Sequence, residues 1–326
     1  MTTSPVTQSP AVSGRAASDE AIIEIRGLVK RYGDFTAVGG VDLTVYRNEI
    51  FGILGPNGAG KTTTLEMVEG LREPDAGSAV VAGIDVARDP QAVKRIIGVQ
   101  LQTTALFDHL TVRELIELFA ALYGARVAPA RVDELIGLVS LEEKAGARVN
   151  ELSGGQQQRL SIALAMANDP IILFLDEPTT GLDPQARRNL WDVIRALRRA
   201  GKTIVLTTHY MEEAEDLCDR LAIMDHGQII ANDTPLALIQ SLEQAATIRA
   251  RLDRAVDLPT LEQLPGVTSA AVVEEQLELH TNDLAGTLAA LLSLAGRLGL
   301  RLDNLSTSSA TLEDVFLAYT GRSLRE

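Results

Sequence analysis

The hydrophobic residues of the chain form several short unbroken runs that are followed directly by polar residues. The clearest runs lie at positions 50–54, 171–175 and 204–206, and a weaker one lies at 221–224. Apolar runs without alternation predict strands of a parallel sheet that is buried on both faces. Because parallel strands present functional side chains at their carboxyl ends, the pattern predicts a doubly wound α/β core with a site at one edge of the sheet.

Helical periodicity dominates the segment between the first two of these runs, which is about 115 residues long. Positions 111–124 and 131–141 repeat apolar residues at helical spacing. We therefore expect this segment to be mostly helical and to form a helical subdomain, at about 103–168, inserted into the α/β core. The core and its insert together predict one mostly parallel α/β domain at 21–243.

The pattern changes after about residue 243. The segments read, in order, as a strand (247–252), a short helix (258–266), a hairpin around Glu274 and Glu275, a helix from Asp283 and a final strand. This β-α-β-β-α-β order is typical of the ferredoxin-like fold. It predicts a small α+β accessory domain at 244–326.

One more helix is predicted at the end of the chain, where Thr311 and Asp314 match a capping box. Its apolar residues lie at helical spacing and form one stripe, which consists of Leu312, Val315, Phe316 and Tyr319. The stripe either packs into a core or forms a docking surface for another subunit, and the pattern alone does not separate the two.

Composition and charge restrict the functions that the chain can have. The 326 residues include 30 basic and 44 acidic side chains, which give a net charge of −14 and argue against a general nucleic-acid-binding surface. Residues 1–20 are predicted to be a disordered polar tail, and no apolar stretch is long enough for a membrane span. The single cysteine, Cys218, suits a reducing cytosol. We expect a soluble protein whose membrane role, if any, is through a partner.

A glycine-rich segment joins the first strand to a predicted helix and matches the pattern G-x-x-x-x-G-K-[ST]. Its glycines let backbone N–H groups surround phosphates, its lysine reaches the β and γ phosphates, and its first threonine can bind Mg²⁺. The predicted nucleotide-binding residues of this loop are Gly55, Pro56, Asn57, Gly58, Ala59, Gly60, Lys61, Thr62 and Thr63.

Two further segments carry candidate chemistry. Asp176 and Glu177 follow the second apolar run, where Asp176 can hold Mg²⁺ and Glu177 can polarise an attacking water. The segment "LSGGQ" begins a predicted helix with Ser153 as its cap, and its two glycines leave the first N–H groups uncovered, so it predicts a second anion site. That site consists of Ser153, Gly154, Gly155 and Gln156. A single nucleotide does not need both anion sites in one subunit.

With these motifs, residues 21–240 resemble the nucleotide-binding subunit of an ATP-binding-cassette (ABC) transporter, in which "GPNGAGKTT" is the Walker A loop, "LSGGQ" the signature and "IILFLDEP" the Walker B strand. The resemblance identifies Gln102 as the Q-loop glutamine that senses Mg²⁺, with Gln100 as the competing choice. It also identifies Asp183 as the D-loop residue, His209 as the switch histidine and Tyr32 as the aromatic residue that stacks on adenine.

The resemblance implies an ATPase that uses ATP and Mg²⁺, with Thr62, Gln102 and Asp176 at the metal and Glu177 as the catalytic base, assisted by Lys61, Gln102 and His209. It further implies a head-to-tail homodimer in which each ATP lies between one subunit's Walker A loop and the other subunit's signature. The partners expected are a second copy and a separately encoded polytopic membrane subunit, with no nucleic acid. The protein would then be peripheral on the cytoplasmic face of the membrane.

Within the family, "LTVRELIELFAALYG" and "TLEDVFLAYTGR" resemble the multidrug and antibiotic-resistance exporters of the daunorubicin-resistance type. An importer ATPase and a non-transport ABC protein are the alternatives, whereas "LSGGQ" argues against a phosphate-loop kinase. Because the catalytic candidates all precede residue 210, cutting the chain after about residue 243 is expected to leave ATP binding intact and to weaken assembly or its regulation.

Overall fold

The computed structural model describes residues 20–101, 106–124, 128–242, 246–254 and 256–321. Its strands, in chain order, are β1 (Ala21–Tyr32), β2 (Phe35–Tyr46), β3 (Ile50–Leu54), β4 (Ala76–Val81), β5 (Ile84–Asp85), β6 (Ile97–Gln100), β7 (Ile172–Asp176), β8 (Thr203–Thr208), β9 (Arg220–Asp225), β10 (Gln228–Asp233), β11 (Ala246–Leu252), β12 (Val267–Val273), β13 (Gln276–Thr281) and β14 (Leu302–Ser309).

The helices are α1 (Lys61–Val68), α2 (Pro90–Ile96), α3 (Val112–Leu122), α4 (Pro129–Leu138), α5 (Gly154–Ala165), α6 (Pro184–Arg199), α7 (Met211–Leu217), α8 (Pro235–Gln240), α9 (Leu258–Glu262), α10 (Leu284–Leu298) and α11 (Leu312–Thr320). Two single 3₁₀ turns, Glu142–Lys144 and Val149–Glu151, precede α5. Among the described residues, no helix is both long and apolar enough to cross a bilayer.

The central sheet has the strand order β10-β9-β3-β8-β7-β6, and all its neighbouring strands are parallel except β10. Every residue of β3, β7 and β8 is buried, as the unbroken apolar runs predict. Ile50 and Leu54 belong to the hydrophobic core on the helical side, whereas Phe51 and Ile53 belong to the core on the other side. The predicted α/β fold with a mostly parallel central sheet is thus confirmed.

A second sheet, which the apolar runs do not reveal, covers the side of β3 that carries Phe51 and Ile53. It is antiparallel, with the order β2-β1-β4-β5. Strands β1 and β2 pair over 12 residues each with several register shifts, and such shifts interrupt the strict alternation by which a half-buried strand is recognised. The expectation that the segment between β3 and β7 is mostly helical is correspondingly too simple, because this segment also supplies β4, β5 and β6.

The helical part of that segment contains α3, α4 and α5, which pack on one another. Thr111 caps α3 with a complete capping box formed with Glu114, and Ser153 caps α5 in the same way with Gln156. Residues 103–105 and 125–127 of the predicted helical subdomain lie outside the described residues. So does the predicted tail except for Glu20, which is ion-paired with Arg47.

A third sheet forms the C-terminal part of the chain, with four antiparallel strands in the order β12-β13-β11-β14. Helices α9 and α10 supply Leu261, Leu291 and Leu294 to the core beneath one face of this sheet. Glu274 and Glu275 form the β12–β13 turn, and both have positive φ. The predicted β-α-β-β-α-β order is therefore present.

The last helix, α11, returns to the N-terminal part of the molecule and contacts α7 and α8. Leu312, Val315 and Phe316 are fully buried and belong to the same core as the central sheet's helices. Tyr319 stays half exposed, and its hydroxyl lies 3.4 Å from the Ser241 Oγ atom. The three buried residues of the apolar stripe therefore pack into a core, which is the first of the two interpretations of the stripe.

Candidate active site

The register of the central sheet brings the predicted site residues to one edge. Leu54 pairs with Thr208, and Asp176 pairs with Thr207 in the neighbouring strand. The phosphate loop follows Leu54, Glu177 follows Asp176 and His209 follows Thr208. Three predicted motifs that are far apart in the sequence therefore meet at the carboxyl ends of β3, β7 and β8, where a parallel sheet places its sites.

Close backbone contacts require glycine at both ends of the phosphate loop. A Cβ atom on Gly55 would lie 2.2 Å from the Met224 carbonyl oxygen, and one on Gly60 would lie 2.4 Å from the Ala37 carbonyl oxygen. Gly60 also has a φ of 103° at the start of α1, a conformation that side chains disfavour. These contacts hold the loop between β2 and β9.

The remaining loop residues vary in exposure. Ala59 is buried, and its carbonyl oxygen accepts a hydrogen bond from the Gly227 N–H. Asn57, Gly58 and Thr62 are exposed, whereas Pro56 and Thr63 are half-buried. The exposed residues therefore lie at the beginning of α1, at the positive end of the helix dipole, which is where a phosphate binds.

The Lys61 side chain is buried and lies across the base of the loop. Its Nζ atom donates hydrogen bonds to the carbonyl oxygens of Gly55 (2.8 Å) and Pro56 (3.1 Å) and lies 3.2 Å from the Glu177 Oε1 atom. Burial lowers the pKa of Lys61, while the Glu177 and Asp176 carboxylates oppose that shift. The ammonium group is therefore poorly hydrated and held at the base of the loop by these three partners.

Glu177 lies between two basic groups. Its Oε1 atom contacts Lys61, while its Oε2 atom lies 3.3 Å from the His209 Nδ1 atom and accepts a hydrogen bond from the Thr180 hydroxyl at 3.2 Å. Burial by itself raises the pKa of Glu177, but Lys61 and His209 outweigh burial and hold this pKa below its usual value. The side chain is thus a carboxylate near neutral pH, as a general base must be.

The backbone of Glu177 is strained, with a φ of 47°. Side chains other than glycine rarely adopt this left-handed conformation, and such residues cluster at functional sites. The Glu177 N–H donates a hydrogen bond of 3.0 Å to the Thr207 hydroxyl, which holds the turn in place.

Asp176 is buried at the end of β7, directly opposite the start of α1. The Thr62 hydroxyl lies 3.0 Å from one carboxylate oxygen of Asp176 and 3.2 Å from the other, and the Thr207 hydroxyl donates to the same carboxylate. A hydroxyl and a carboxylate side by side are oxygen ligands of the kind that Mg²⁺ prefers. The described residues include no cluster of three or more His, Cys, Asp or Glu side chains that could hold a metal. A magnesium ion bound mainly by phosphates and water needs only one or two protein ligands.

The signature segment begins α5, which packs on α3, α4, α6 and β6. The Ser153 Oγ atom accepts a hydrogen bond from the Gln156 N–H at 3.4 Å, and the Gln156 side chain accepts one from the Ser153 N–H at 2.9 Å. A Cβ on Gly154 would meet nothing, whereas one on Gly155 would lie 2.9 Å from the Ala186 Cβ atom. The open face at Gly154 is compatible with an anion bound at this helix end.

Asp183 caps α6, where its carboxylate accepts a hydrogen bond from the Ala186 N–H at 2.8 Å. Tyr32 ends β1 and is 44% exposed, with the Arg72 guanidinium carbon 5.4 Å and the Lys30 Nζ atom 5.9 Å from its ring centre. The β1–β2 hairpin that carries Tyr32 also carries Ala37, the residue that faces Gly60. Gln102 lies outside the described residues, and Gln100, its competitor, is buried at the end of β6.

Two polar residues at this edge were missed by sequence reasoning. Thr207 binds both Asp176 and the Glu177 N–H, and it follows directly on the apolar run 204–206, so the rule that identifies polar residues at strand ends would have found it. Glu213, one turn after His209, is fully buried and accepts a hydrogen bond of 3.0 Å from the Trp191 Nε1 atom. In the sequence it is one of four acidic residues in "MEEAED", and nothing distinguishes it from the exposed ones.

Comparisons with known proteins identify chains that are similar to this one. A family model described as ABC transporter matches residues 38–180. The Nod factor export ATP-binding protein I of Burkholderia lata is 42% identical over 318 residues, which cover 94% of this chain and 99% of that protein. The protein of the same name from Rhizobium sp. is 42% identical over 306 residues, with 93% of this chain and 98% of that protein covered.

Among solved structures, the dimeric bacterial ABC transporter cassette MJ0796 is 29% identical and superimposes with a TM-score of 0.59 over 65% of this chain and 98% of that one. The same cassette in a post-hydrolysis state, bound to ADP and Pi, matches equally well. The chain is similar to the export ATP-binding proteins over nearly its full length, and it also matches a cassette in a post-hydrolysis state. We conclude that the chain belongs to the ABC transporter family, as an ATP-binding subunit that hydrolyses ATP.

Proposed function

We propose that this chain powers an ABC exporter of drugs, antibiotics or other hydrophobic compounds through a separately encoded membrane subunit. The observation that carries the proposal is the extent of the match to export ATP-binding proteins, which spans the C-terminal sheet as well as the ATP site. The relatives are named for export of Nod factor. The assignment to hydrophobic drugs rests on the resemblance of residues 111–124 and the α11 segment to antibiotic-resistance exporters.

The roles of the site residues follow from their contacts. Glu177 is the general base that takes a proton from the attacking water, because its low pKa and its position between Lys61 and His209 keep it ionised and fixed. Lys61 contacts the β and γ phosphates within the Walker A loop, Gly55 to Thr63. His209 stabilises the charge that develops on the transferred phosphoryl group.

The residues at the start of α1 fit a magnesium ion. Thr62 and Asp176 would hold it, and we assign Gln102 to the same ion from the resemblance alone. When bound, Mg²⁺ would neutralise the charge of the phosphates during transfer. Tyr32, on the hairpin beside the loop, stacks on the adenine ring in this proposal.

The second anion site completes the reaction in a dimer. We infer that two copies associate head to tail, so that Ser153, Gly154, Gly155 and Gln156 of one copy bind the γ-phosphate held by the other, and that Asp183 lies at the same interface. The dimeric cassette structures of the family support this arrangement. The protein would then lie on the cytoplasmic face of the membrane, held there by its membrane subunit.

The test is reconstitution of the full chain with its membrane subunit in lipid vesicles, with daunorubicin and purified Nod factor as probes. We expect ATPase activity that is stimulated by daunorubicin and abolished by Glu177→Gln. Stimulation by Nod factor alone would contradict the assignment to drugs but not to export. A strict requirement for an external solute-binding protein would contradict export itself.

A further inference from the structure

Buried polar atoms without hydrogen-bond partners gather beside the active site. Eight such side-chain atoms are found among the described residues, and four of them lie on the segments that follow β7 and β8. These four are the Thr179 Oγ1, Arg187 Nε, His209 Nδ1 and Glu213 Oε2 atoms, of which His209 Nδ1 lies 3.3 Å from the Glu177 Oε2 atom without a hydrogen bond to it. Well-packed proteins leave few buried polar groups unpaired, so this concentration calls for a functional explanation.

Glu213 is at the centre of this group. It is fully buried in α7, and its Oε1 atom accepts a hydrogen bond of 3.0 Å from Trp191 in α6. Burial raises the pKa of Glu213, while the Thr208, Trp191 and Thr179 side chains and the Arg187 charge oppose that shift. The carboxyl therefore faces groups from β8, from α6 and from the segment after Glu177.

Two of the groups that Glu213 faces, Thr208 and Thr179, adjoin residues of the active site. The Thr208 carbonyl oxygen accepts a hydrogen bond from the Gly55 N–H at 3.2 Å, at the first residue of the phosphate loop. Thr179 precedes Thr180, whose hydroxyl donates to Glu177. The interactions of Glu213 are with Trp191, Thr208, Thr179 and Arg187, so its effect on hydrolysis is indirect.

A parallel contact joins the same two helices nearer to His209. The Arg187 guanidinium carbon, in α6, lies 4.3 Å from the centre of the Tyr210 ring, and that ring is 4.1 Å from the His209 ring. Helix α6 begins at the Asp183 cap, and α7 begins just after His209. The Trp191–Glu213 and Arg187–Tyr210 contacts thus connect α6, which follows Asp183, to α7, which follows His209, at two points along the helices.

Stability alone does not explain a carboxyl at position 213. Burying a carboxyl with one unpaired oxygen costs free energy, and an apolar side chain of similar size would fill the same space without that cost. Glu213 is kept at a cost to stability and lies between the elements that carry the catalytic residues. These are the properties expected of a residue that positions them.

We propose that Glu213 is a positioning residue for ATP hydrolysis, which holds α6 against α7 through Trp191 so that Asp183 and His209 keep a fixed relative placement. The inference deepens the proposed function and rests on its assignment of those two residues. Because Walker A is not touched, the loss of Glu213 should slow turnover without weakening ATP binding.

The first test compares kcat and the KM for ATP in the full-length protein. We expect Glu213→Ala to lower kcat at least about tenfold with KM within about twofold, and Glu213→Gln, which still accepts from Trp191, to stay within about threefold of the parent kcat. Glu215→Gln, an exposed residue on the same helix, is the matched control and should behave as the parent. A kcat for Glu213→Ala within twofold of the parent would overturn the proposal, as would a parallel loss of ATP affinity.

A second test, based on Trp191, can still refute the proposal if Glu213→Ala folds poorly. Trp191 is the single tryptophan of the chain, so its fluorescence reports the α6–α7 contact directly. Glu213→Leu, which removes the acceptor, should shift the Trp191 emission, whereas Glu215→Gln should not. Trp191→Phe should lower kcat, and adding Glu213→Leu to it should cost no more than Trp191→Phe alone, because each change removes the same Trp191–Glu213 hydrogen bond. Additive losses would overturn the proposal.

The two levels of inference can be told apart. A Glu177→Gln variant with the parent ATPase activity would contradict the site roles in the proposed function. An active chain in which Glu213→Ala turns over normally would contradict only the positioning role of Glu213.

Discussion

Replacing Phe316 by alanine tests whether the C-terminal helix is part of the ATP-binding core. Phe316 is fully buried on α11 and belongs to the core that also contains residues of α7 and α8, such as Leu217 and Leu238. In Phe316→Ala, the phenyl ring is lost from this core while α11 keeps its helix propensity, since alanine is the best helix former.

The expected cost follows from burial and cavity formation. Burying a phenylalanine side chain contributes about 1.5–3 kcal/mol, and an unrelaxed cavity of about 100 Å³ adds about 2.4 kcal/mol. Partial collapse of the core reduces the second contribution. We therefore expect the free energy of unfolding to fall by about 3–5 kcal/mol.

The assay is urea denaturation of the full chain, followed by the fluorescence of Trp191, which lies in the same core as Phe316. Leu317→Ala is the matched control, because Leu317 is the next residue on α11 and is 48% exposed. It should cost less than about 1 kcal/mol. Equal costs for the two variants would refute the packing of α11 against α7 and α8. If the packing holds, a chain cut after about residue 243 also loses stability in its ATP-binding part, and not only assembly or regulation as its motifs suggest.

The remaining predictions concern the signature and a buried acid. Ser153→Arg should abolish hydrolysis but leave the ATP affinity of the monomer unchanged. Ser153→Asn, which preserves the helix cap, should stay active. A loss of ATP binding in Ser153→Arg that parallels its loss of hydrolysis would contradict the two-subunit site. Burial and the Asp176 and Glu66 charges raise the pKa of Glu69 from 4.5 to about 8. Between these two pH values the folded protein keeps a proton on Glu69 that the unfolded chain has released. The free energy of unfolding should therefore fall as pH rises from 4.5 to about 8. In thermal melts at several pH values, Glu69→Gln should flatten this fall in stability, and the exposed control Glu73→Gln should not. Equal dependence of stability on pH in the two variants would contradict the raised pKa of Glu69.

Much of the fold was predictable because its signals are local. The buried parallel strands appear as apolar runs, and the C-terminal β-α-β-β-α-β order appears in the alternation of short segments around the Glu274–Glu275 turn. The β1–β2 pair was missed because its register shifts interrupt alternation. The docking of α11 was not predictable either. The apolar stripe would look the same whether α11 packs on the sheet beside it or on α7 and α8, which lie about 80 to 100 residues earlier in the sequence.

The candidate site divides in the same way. The phosphate loop, Asp176, Glu177 and His209 are recognised by spacing and by their place after apolar strands, and the register brings them together. The contacts that hold them are different. Thr207 supports Asp176 from 31 residues away, and Trp191 donates to Glu213 from 22 residues away. Such pairs depend on which strands and helices are neighbours, and no local pattern contains that information.

The central claim is that two copies of this chain share each ATP and that Glu177 is the base that ends the shared state. Glu177→Gln keeps the shape of the side chain but removes the carboxylate that lies 3.2 Å from Lys61 and 3.3 Å from His209. Size-exclusion chromatography with ATP and Mg²⁺, alongside an assay of phosphate release, measures both consequences. We predict that this variant accumulates as a dimer with almost no hydrolysis, and that adding Ser153→Arg returns it to the monomer. A variant that stays monomeric with ATP, or that hydrolyses ATP at the parent rate, would contradict the claim.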